Sequence, residues 1–297
     1  FLVLENDHLR AHVAPQLGAS VLRLDHVAGG LQQPVLRATD PAPEGANVRA
    51  MFLMIPWANR VSGEGLPFEG TVYPLPRLIA EQAMPCHGLA IHQAYRVREH
   101  TPERLVLTLR DGSTPPFDYE VEVVYTLDGP AFVTAVSVRH LGEAPAPYGF
   151  GFHPFLVRGN DDLLSFGAET YAEEDAARLP TGELTPMAGS QQDFGAPAPL
   201  PDGHINNTYL GWDGTARLDR RDGLAVTLAA DGAAQSLVHV YSRGTDCGFV
   251  CLEPMTHTVD CANNPIPGAP CLARLEHGET LAASMTISVD TAAPARR

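Results

Sequence analysis

The sequence predicts an all-β protein, a large antiparallel β-sandwich, from a hydrophobic alternation with a period of two and from repeated Asp-Gly dipeptides. Residues 119–127 alternate apolar with mostly polar side chains, as a strand with one buried face does, and residues 281–289 repeat this pattern. No segment carries a long helical stripe of apolar residues. Because a sheet with one apolar face must close into a barrel or pack against a second sheet, two packed sheets are favoured.

Shorter segments are predicted to be strands joined by tight turns. Residues 104–110, 224–228 and 237–241 have strand-like patterns. Glycine adopts positive φ without steric cost, so an Asp-Gly pair suits a hairpin turn. Five such pairs occur, at Asp111-Gly112, Asp128-Gly129, Asp213-Gly214, Asp222-Gly223 and Asp231-Gly232. Only residues 171–178 are expected to form a turn or two of helix.

Residues 1–297 are predicted to form a single domain. A chain of 297 residues with 44% hydrophobic content is long enough to bury a large core. Two proline-rich segments, 33–43 and 195–201, are interpreted as loops rather than linkers because strand-like segments continue on both sides of each.

The charge of the chain bears on its partners. The formal net charge is −15, which repels phosphate backbones and anionic lipid, and no basic patch offsets it. We therefore expect neither nucleic-acid nor membrane binding, and a small-molecule partner, with weak preference for a neutral over a highly anionic one. Nothing resembles a signal peptide or a spanning segment. A monomer or a homodimer is expected.

The five cysteines are predicted to be free thiols in a cytoplasmic protein. Their number is odd and they lack Cys-x-x-Cys spacing. A chain of this size does not need disulfides, and cytosolic thiols stay reduced. No His-x-His pair or second cysteine pair completes a zinc site, so no metal is expected.

Polar side chains stand out in five segments that are otherwise apolar or rich in glycine and aromatic residues: Asn59-Arg60, His87, His153, Asn206 and Glu253. Arginine offers a planar fork of donors for hydroxyls or carboxylates. The segment of Asn206 also contains Tyr209 and Trp212, whose rings suit either a sugar face or the core. Each side chain alone is also explained structurally, as a surface ion pair, a core histidine or a buried ion pair. The combination is more specific.

His153 and Glu253 carry the strongest suggestion of chemistry. His153 lies within Gly-Phe-His-Pro-Phe and Glu253 follows Phe-Val-Cys-Leu. Such surroundings can move the pKa values of both groups toward neutrality, where one donates a proton and the other accepts it. The two segments therefore suggest general acid/base chemistry without a cofactor.

The order of these motifs, from Asn59-Arg60 through His87-Gly88 and Gly-Phe-His153-Pro-Phe to Glu253-Pro-Met-Thr, resembles the aldose 1-epimerase (mutarotase) family. The resemblance runs over nearly the whole chain and implies a galactose mutarotase-like supersandwich with an open sugar cleft on one sheet. It implies an isomerase of carbohydrate metabolism in which Glu253 takes the proton of the anomeric hydroxyl. His153 would supply one to the ring oxygen from the other side of the C1–O5 unit.

The resemblance also implies substrate-binding residues. His87 would hydrogen-bond near the ring oxygen, and Arg60 would hold sugar hydroxyls, with Asn59 beside it. Asn206 stands where the family usually has a sugar-binding aspartate, so the preferred sugar is expected to differ from galactose or glucose.

Two alternatives stay open. A hexose-6-phosphate 1-epimerase of the same superfamily would need two or more cations at its pocket, and the sequence offers Arg23, Arg77, Arg96 and Arg243 without showing which converge. A non-catalytic sugar-binding module would need neither the acid nor the base. A metal-dependent β-barrel enzyme is disfavoured because its ligands usually cluster at short spacing.

Overall fold

A computed structural model describes residues 1–30, 32–39, 49–244 and 247–291 of the chain. Nearly all regular structure in these residues is strand, so the all-β prediction is confirmed. Two short 3₁₀ helices, Ala28–Gly30 and Ala90–His92, interrupt the strands. None of the helices in the described part is long and apolar enough to cross a membrane.

The first of two large sheets has eleven strands. In chain order they are β1 (Leu2–Glu5), β2 (Leu9–Ala14), β3 (Ser20–His26), β4 (Gln33–Pro34), β5 (Met51–Met54), β13 (Gly151–Val157), β15 (Thr170–Glu174), β16 (Pro180–Pro186), β18 (Ile205–Leu210), β21 (Leu237–Ser242) and β22 (Phe249–Pro254). Their spatial order is β1-β2-β3-β5-β13-β22-β21-β18-β15-β16, with β4 beside β3.

The second sheet has nine strands and two short ribbons lie outside both sheets. The nine are β8 (Arg96–His100), β9 (Arg104–Asp111), β10 (Tyr119–Asp128), β11 (Ala131–His140), β14 (Leu163–Phe166), β17 (Ala198–Pro199), β19 (Thr215–Asp219), β20 (Leu224–Gly232) and β24 (Thr280–Thr291). They run in the order β17-β14-β19-β20-β24-β11-β10-β9-β8. The ribbons pair β6 (Leu66–Phe68) with β7 (Thr71–Tyr73), and β12 (Ala146–Tyr148) with β23 (Ala273–Leu275).

The alternation of side chains gives the eleven-stranded sheet two faces with different sets of residues. Leu53, Phe152 and Leu252 point to the inner face, where they join Val121 and Ile287 of the nine-stranded sheet in one hydrophobic core. Their neighbours along each strand point to the opposite face because successive side chains alternate. That opposite face therefore carries a separate set of residues, which includes His153 and Glu253. The single-domain organisation stays a prediction.

The turn predictions are confirmed at three of the five Asp-Gly pairs. Asp111-Gly112, Asp128-Gly129 and Asp222-Gly223 lie between strands that pair with each other. Asp213-Gly214 and Asp231-Gly232 instead lie where the chain passes from one large sheet to the other. An Asp-Gly pair thus marks a turn, but it does not specify whether the next strand stays in the same sheet.

Two local predictions were wrong. Residues 170–174 form β15 instead of helix, because pairing with β16 and β18 overrides their local helix propensity. Cys261 and Cys271 form a disulfide, with Cα atoms 5.4 Å apart. The loop after β22 folds back and brings the two together, which sequence spacing does not reveal. The other three cysteines are free thiols, as predicted. Of the two proline-rich segments, residues 40–43 lie outside the described part.

Candidate active site

Four neighbouring strands of the eleven-stranded sheet form the floor of the candidate site. Gly151 pairs with Met255 and Phe155 with Cys251, so His153 of β13 stands opposite Glu253 of β22. Two further pairings continue this row, Glu253 with His239 of β21 and His239 with Thr208 of β18. Period-two alternation on adjacent strands thus brings together residues that are up to a hundred positions apart in sequence.

A second row lies two residues along the strands. Phe155 pairs with Cys251, Cys251 with Tyr241, and Tyr241 with Asn206. This row lies about 7 Å from the first, at about 3.4 Å per residue. Phe155 also stacks on His153, with ring centroids 4.7 Å apart. The two rows therefore form one continuous surface.

His153 and Glu253 contact each other directly. His153 Nε2 lies 3.2 Å from Glu253 Oε1, and the two residues are 5% and 1% exposed. The remaining polar atoms, His153 Nδ1 and Glu253 Oε2, are buried and lack a hydrogen-bond partner among the described residues. The sequence led us to expect the two groups on opposite sides of a cleft. They lie side by side, and both line the same cavity.

Burial controls the ionisation of this pair. It raises the pKa of Glu253 well above its ordinary value, and the positive charge of Arg60 opposes that shift. It lowers the pKa of His153 well below its ordinary value, and His87, His239 and Arg37 act in the same direction. Both shifts favour the uncharged forms, so the carboxyl group of Glu253 keeps its proton, the imidazole of His153 is neutral and the pair has no net charge. Moving that proton across the contact creates a carboxylate and an imidazolium without changing the total charge.

His87 is brought to the floor by a backbone turn. Its φ of 63° and the 76° of Gly88 are left-handed, and a Cβ at Gly88 would lie 2.0 Å from the carbonyl oxygen of Ile55. Only glycine permits that approach. The ring of His87 then lies 5.3 Å from that of His153. Burial lowers the pKa of His87 to about 3, with Arg60 contributing, so the imidazole is neutral.

Asn59 and Arg60 form a hydrogen-bonded pair that lines the same cavity as the floor residues. The Asn59 Oδ1 atom accepts hydrogen bonds from the Arg60 backbone N–H at 2.9 Å and from Arg60 Nη1 at 3.0 Å. Asn59 is 2% exposed and has a left-handed φ of 58°. Its side chain therefore orients the guanidinium of Arg60, which points into the same cavity as Glu253.

The loop after β22 holds the Asn59-Arg60 segment in place. The Ala58 N–H donates to His257 Nε2 at 2.9 Å, and Asp260 accepts bonds from the backbone and hydroxyl of Ser62. The same loop contains the Cys261–Cys271 disulfide. Burial lowers the pKa of His257 to about 4, which keeps Nε2 free to accept. The segment that contributes Asn59 and Arg60 to the cavity is thereby held on both sides by one cross-linked loop.

Asn206 belongs to a hydrogen-bonded chain that sequence reasoning missed. Its Nδ2 donates to Glu174 Oε1 at 2.6 Å, and its Oδ1 lies 3.3 Å from His239 Nε2. His239 Nδ1 in turn lies 2.9 Å from the hydroxyl of Thr208. Burial lowers the pKa of His239 to about 3. Burial raises the pKa of Glu174 to about 7, against the opposing effect of the bond from Asn206.

His239 and Glu174 carried different sequence signals. His239 lies in a segment that was predicted to be a strand, so the alternation of side chains along that strand could have predicted its buried position. Glu174 lies in the segment that was predicted to be helical, and nothing in that prediction brought it near Asn206. Tyr209 and Trp212 are buried in the hydrophobic core. The cavity's aromatic residues are others: Phe155, Tyr241 and Phe249.

The six residues singled out from the sequence line one cavity of about 650 Å³: Asn59, Arg60, His87, His153, Asn206 and Glu253. His239 completes the same lining. Of the four arginines proposed to converge on an anionic substrate, Arg243 lies at this cavity.

One group of buried side chains on neighbouring strands β13 and β22 could hold a metal ion. One ligand atom from each of His153, Cys251 and Glu253 lies within 4.8 Å of the others. Nitrogen, sulfur and carboxylate ligands suit zinc. Burial raises the pKa of the Cys251 thiol well above its ordinary value, which opposes formation of the thiolate that a metal binds. The expectation of a metal-free site stays a prediction.

Comparison with known proteins identifies the family. A family model described as aldose 1-epimerase matches residues 1–288. The chain belongs to the aldose 1-epimerase family. The resemblance seen in the sequence is thereby confirmed, and membership implies an isomerase-type enzyme acting on a small sugar.

Solved structures and one curated relative are similar to the chain over most of its length. A crystal structure from Escherichia coli K12, described as a candidate aldose 1-epimerase, has a TM-score of 0.86 and 26% identity, with 98% of each chain covered. A galactose mutarotase-like protein from Clostridium acetobutylicum has a TM-score of 0.84 at 14% identity, over 97% of this chain and 94% of its own, which shows the fold alone. The uncharacterised Escherichia coli protein YphB is 28% identical over 245 residues, or 80% of this chain and 83% of YphB.

Proposed function

We propose that the protein is an aldose 1-epimerase that interconverts the α and β anomers of an aldose by general acid/base ring opening and closure. The observation that carries the proposal is the contact of His153 with Glu253, at 3.2 Å on the floor of the cavity. The anomeric oxygen O1 and the ring oxygen O5 are attached to the same carbon. Two adjacent side chains that share one proton can therefore take a proton from O1 and supply a proton to O5.

Ring opening uses the charged arrangement of the pair. Glu253, as carboxylate, takes the proton of the O1 hydroxyl while His153, as imidazolium, gives a proton to O5. The C1–O5 bond breaks and C1 becomes an aldehyde carbon. General acid and general base each contribute about 10²–10⁴-fold to such a reaction.

Ring closure reverses the proton movements. Rotation about C1–C2 presents the other face of the aldehyde to the O5 hydroxyl. His153 takes the O5 proton and Glu253 returns one to O1, so the opposite anomer forms and the pair recovers its starting state. One proton is removed and one is supplied in each direction, and the reaction as proposed needs no cofactor.

The remaining cavity residues position the sugar. Arg60, oriented by Asn59, donates to ring hydroxyls, and neutral His87 lies beside His153 to hydrogen-bond near O5. The amide of Asn206 is held between Glu174 and His239 and offers both a donor and an acceptor. These assignments rest on the position of each side chain in the cavity.

Anomer exchange measured by proton NMR tests the proposal. We expect the protein to increase the α/β exchange rate of at least one aldose in a panel of hexoses, pentoses and hexose 6-phosphates. Exchange at the uncatalysed rate with every sugar, together with detectable sugar binding, would favour the alternative of a non-catalytic sugar-binding module. The same assay needs no assumption about oligomeric state or about the predicted cytoplasmic location.

A further inference from the structure

Four side chains on three neighbouring strands form one hydrogen-bonded chain: Glu174, Asn206, His239 and Thr208. Asn206 and His239 line the cavity. Asn206, His239 and Thr208 are buried, and Glu174 is half-buried. The chain therefore connects the lining of the cavity to a carboxyl group that is more accessible to solvent.

Strand pairing builds this chain. The pairing of β15 with β18 reaches Tyr171, and three residues further along β15 the carboxyl group of Glu174 accepts a hydrogen bond from Asn206 Nδ2 at 2.6 Å. On β21, His239 stands opposite Thr208, two residues along β18 from Asn206 and on the same face. One imidazole ring thus reaches both of these side chains of β18.

The members of the chain differ in what they can donate. An ionised carboxylate only accepts hydrogen bonds, an amide has one donating and one accepting side, and a neutral imidazole has one donor and one acceptor. Burial lowers the pKa of His239 to about 3, so its imidazole is neutral near neutral pH. The nearby groups that act in the same direction are Arg60, His87 and His204. The state of Glu174 at one end therefore determines the direction of every bond after it.

An ionised Glu174 fixes the arrangement that the structure shows. The carboxylate accepts from Asn206 Nδ2, so Asn206 Oδ1 points to His239, 3.3 Å from Nε2. The imidazole proton must then lie on Nε2, because the amide oxygen only accepts. Nδ1 of the same ring, 2.9 Å from the hydroxyl oxygen of Thr208, accepts the hydroxyl proton.

A protonated Glu174 permits the reverse arrangement. Its O–H can donate to Oδ1 of Asn206 after the amide turns about the Cβ–Cγ bond. Nδ2 then donates to His239 Nε2, and the imidazole proton lies on Nδ1 and is donated to the Thr208 hydroxyl. Both arrangements join the same side chains through three hydrogen bonds, and the reverse one has one more proton, on Glu174.

We propose that Glu174 is a positioning residue for sugar binding: the proton on its carboxyl group sets where Asn206 presents its donor and its acceptor to the cavity. The chain uses one N–H and one oxygen lone pair of this amide, and the others belong to a side chain that lines the cavity. Turning the amide exchanges the two, so a sugar hydroxyl in a given position binds one arrangement better. The link to the sugar rests on the proposed function, whereas the coupling of Glu174 to His239 does not.

The surroundings of Glu174 let its charge change near neutral pH. Burial raises its pKa to about 7, and the hydrogen bond from Asn206 opposes that shift. The nearby charges that also act on it are those of Arg60, Arg178 and Asp175. His204, whose Nε2 lies 2.6 Å from Arg178 Nη1, has its pKa lowered by burial and therefore titrates at lower pH than Glu174. Both protonation states of Glu174 are thus populated near neutral pH.

The tautomer of His239 reports the direction of the chain. It is measured by proton–nitrogen NMR of the full chain with isotope-labelled histidine, and the His239 signals are assigned by their loss in His239→Gln. At about pH 8.5 we expect the Nδ1–H tautomer below about a tenth, because the reverse arrangement then loses a hydrogen bond to a charged group. At about pH 5.5 the two tautomers should be within about threefold of each other, because both arrangements then make the same bonds.

Matched variants assign this pH dependence to Glu174. Glutamine at this position keeps the shape of the side chain and does not titrate, so Glu174→Gln should give a tautomer ratio that is independent of pH. Glu173→Gln makes the same change at the neighbouring residue, whose Oε1 accepts from the Thr185 hydroxyl at 2.6 Å, and should keep the dependence of the wild type. If Glu174→Gln fails to fold, as judged by thermal unfolding, Asn206→Leu removes the link and should abolish the dependence.

Adding a sugar tests the link to the cavity. Glucose, galactose and arabinose are added in turn to the wild type at about pH 5.5, where both arrangements are populated. A ligand that binds one arrangement better shifts the equilibrium toward it. We expect at least one sugar that is turned over in the anomer-exchange assay to change the tautomer ratio of His239 by about threefold or more.

Each outcome has a defined meaning. A tautomer ratio that does not change with pH, or that changes equally in Glu174→Gln, overturns the positioning role and leaves the epimerase proposal standing. A ratio that no turned-over sugar changes overturns the link to sugar binding. If no sugar is turned over, the epimerase proposal fails in its own assay, and the pH dependence of the tautomer still decides whether Glu174 controls the Asn206 amide.

Discussion

Replacing Glu253 with glutamine is the sharpest test of the proposed chemistry. An amide has nearly the shape of the carboxyl group but cannot take the O1 proton at neutral pH. Because Glu253 is 1% exposed, water does not readily take its place as base. Loss of a general base costs about 10²–10⁴-fold, and we expect kcat to fall by that factor. This corresponds to about 3–5 kcal/mol of transition-state stabilisation.

Binding and folding should survive the change. The folded state favours neutral Glu253, since burial raises its pKa well above the ordinary value. Folding at neutral pH therefore works against the ionised carboxylate of the unfolded chain, and glutamine removes this cost. The variant should be at least as stable as the wild type, and the gain should grow as pH rises above the ordinary carboxyl range. Its KM should change by less than its kcat.

Glu81→Gln is the matched control. Glu81 is an exposed glutamate that lines the same cavity, so its replacement makes the same change from carboxyl to amide at a position outside the proposed catalytic pair. NMR anomer exchange measures both variants, and thermal unfolding checks their folding. The reasoning is refuted if Glu253→Gln retains kcat within about threefold of the wild type, far less than the loss of a general base causes. It is also refuted if Glu81→Gln loses as much.

Three further changes test other parts of the structure. Gly88→Ala should destabilise the protein more than Gly223→Ala, as measured by thermal unfolding. Both glycines have positive φ, but a Cβ at Gly88 would lie 2.0 Å from the carbonyl oxygen of Ile55, whereas a Cβ at Gly223 would have no atom within 4 Å. Glu174→Gln should gain stability relative to the wild type as pH rises from about 4.5 to about 7, because in this interval Glu174 keeps its proton in the folded protein and loses it in the unfolded chain. Equal pH dependence of stability in the two proteins would contradict the shifted pKa. Reducing the disulfide between Cys261 and Cys271 should cost about 3 kcal/mol of unfolding free energy in denaturant titrations, because the cross-link closes a short loop; no change on reduction would count against the bond.

The fold was predictable because its signal is local. The alternation at residues 119–127 marks β10, whose odd-numbered residues are buried in the core. Residues 281–289 mark β24 in the same way. Local alternation fixes which face of a strand is apolar, but the order of strands in a sheet depends on pairings between distant segments. That order comes from the structure alone.

The site was predictable only in part, for the same reason. His153 and Glu253 stand out because each is a titratable group in apolar surroundings. Their contact depends on the pairing of β13 with β22, which no local pattern reveals. Glu174 was missed because its segment is rich in alanine and acidic residues, a composition that favours helix, while sheet pairing holds it in β15. Features of the site that depend on pairing between distant strands therefore cannot be predicted from local sequence patterns.

Asn206 shows how such pairing changes the meaning of a single residue. Taken alone, an amide in place of the family's usual aspartate removes a negative charge from the sugar-binding surface. The structure places the carboxyl of Glu174 directly behind that amide, 2.6 Å from Nδ2. The carboxyl group therefore lies behind the amide, and because burial raises its pKa to about 7, its charge changes near neutral pH. The amide lines the cavity and its Oδ1 atom lies 3.3 Å from His239 Nε2, so this part of the lining offers a neutral donor and a neutral acceptor.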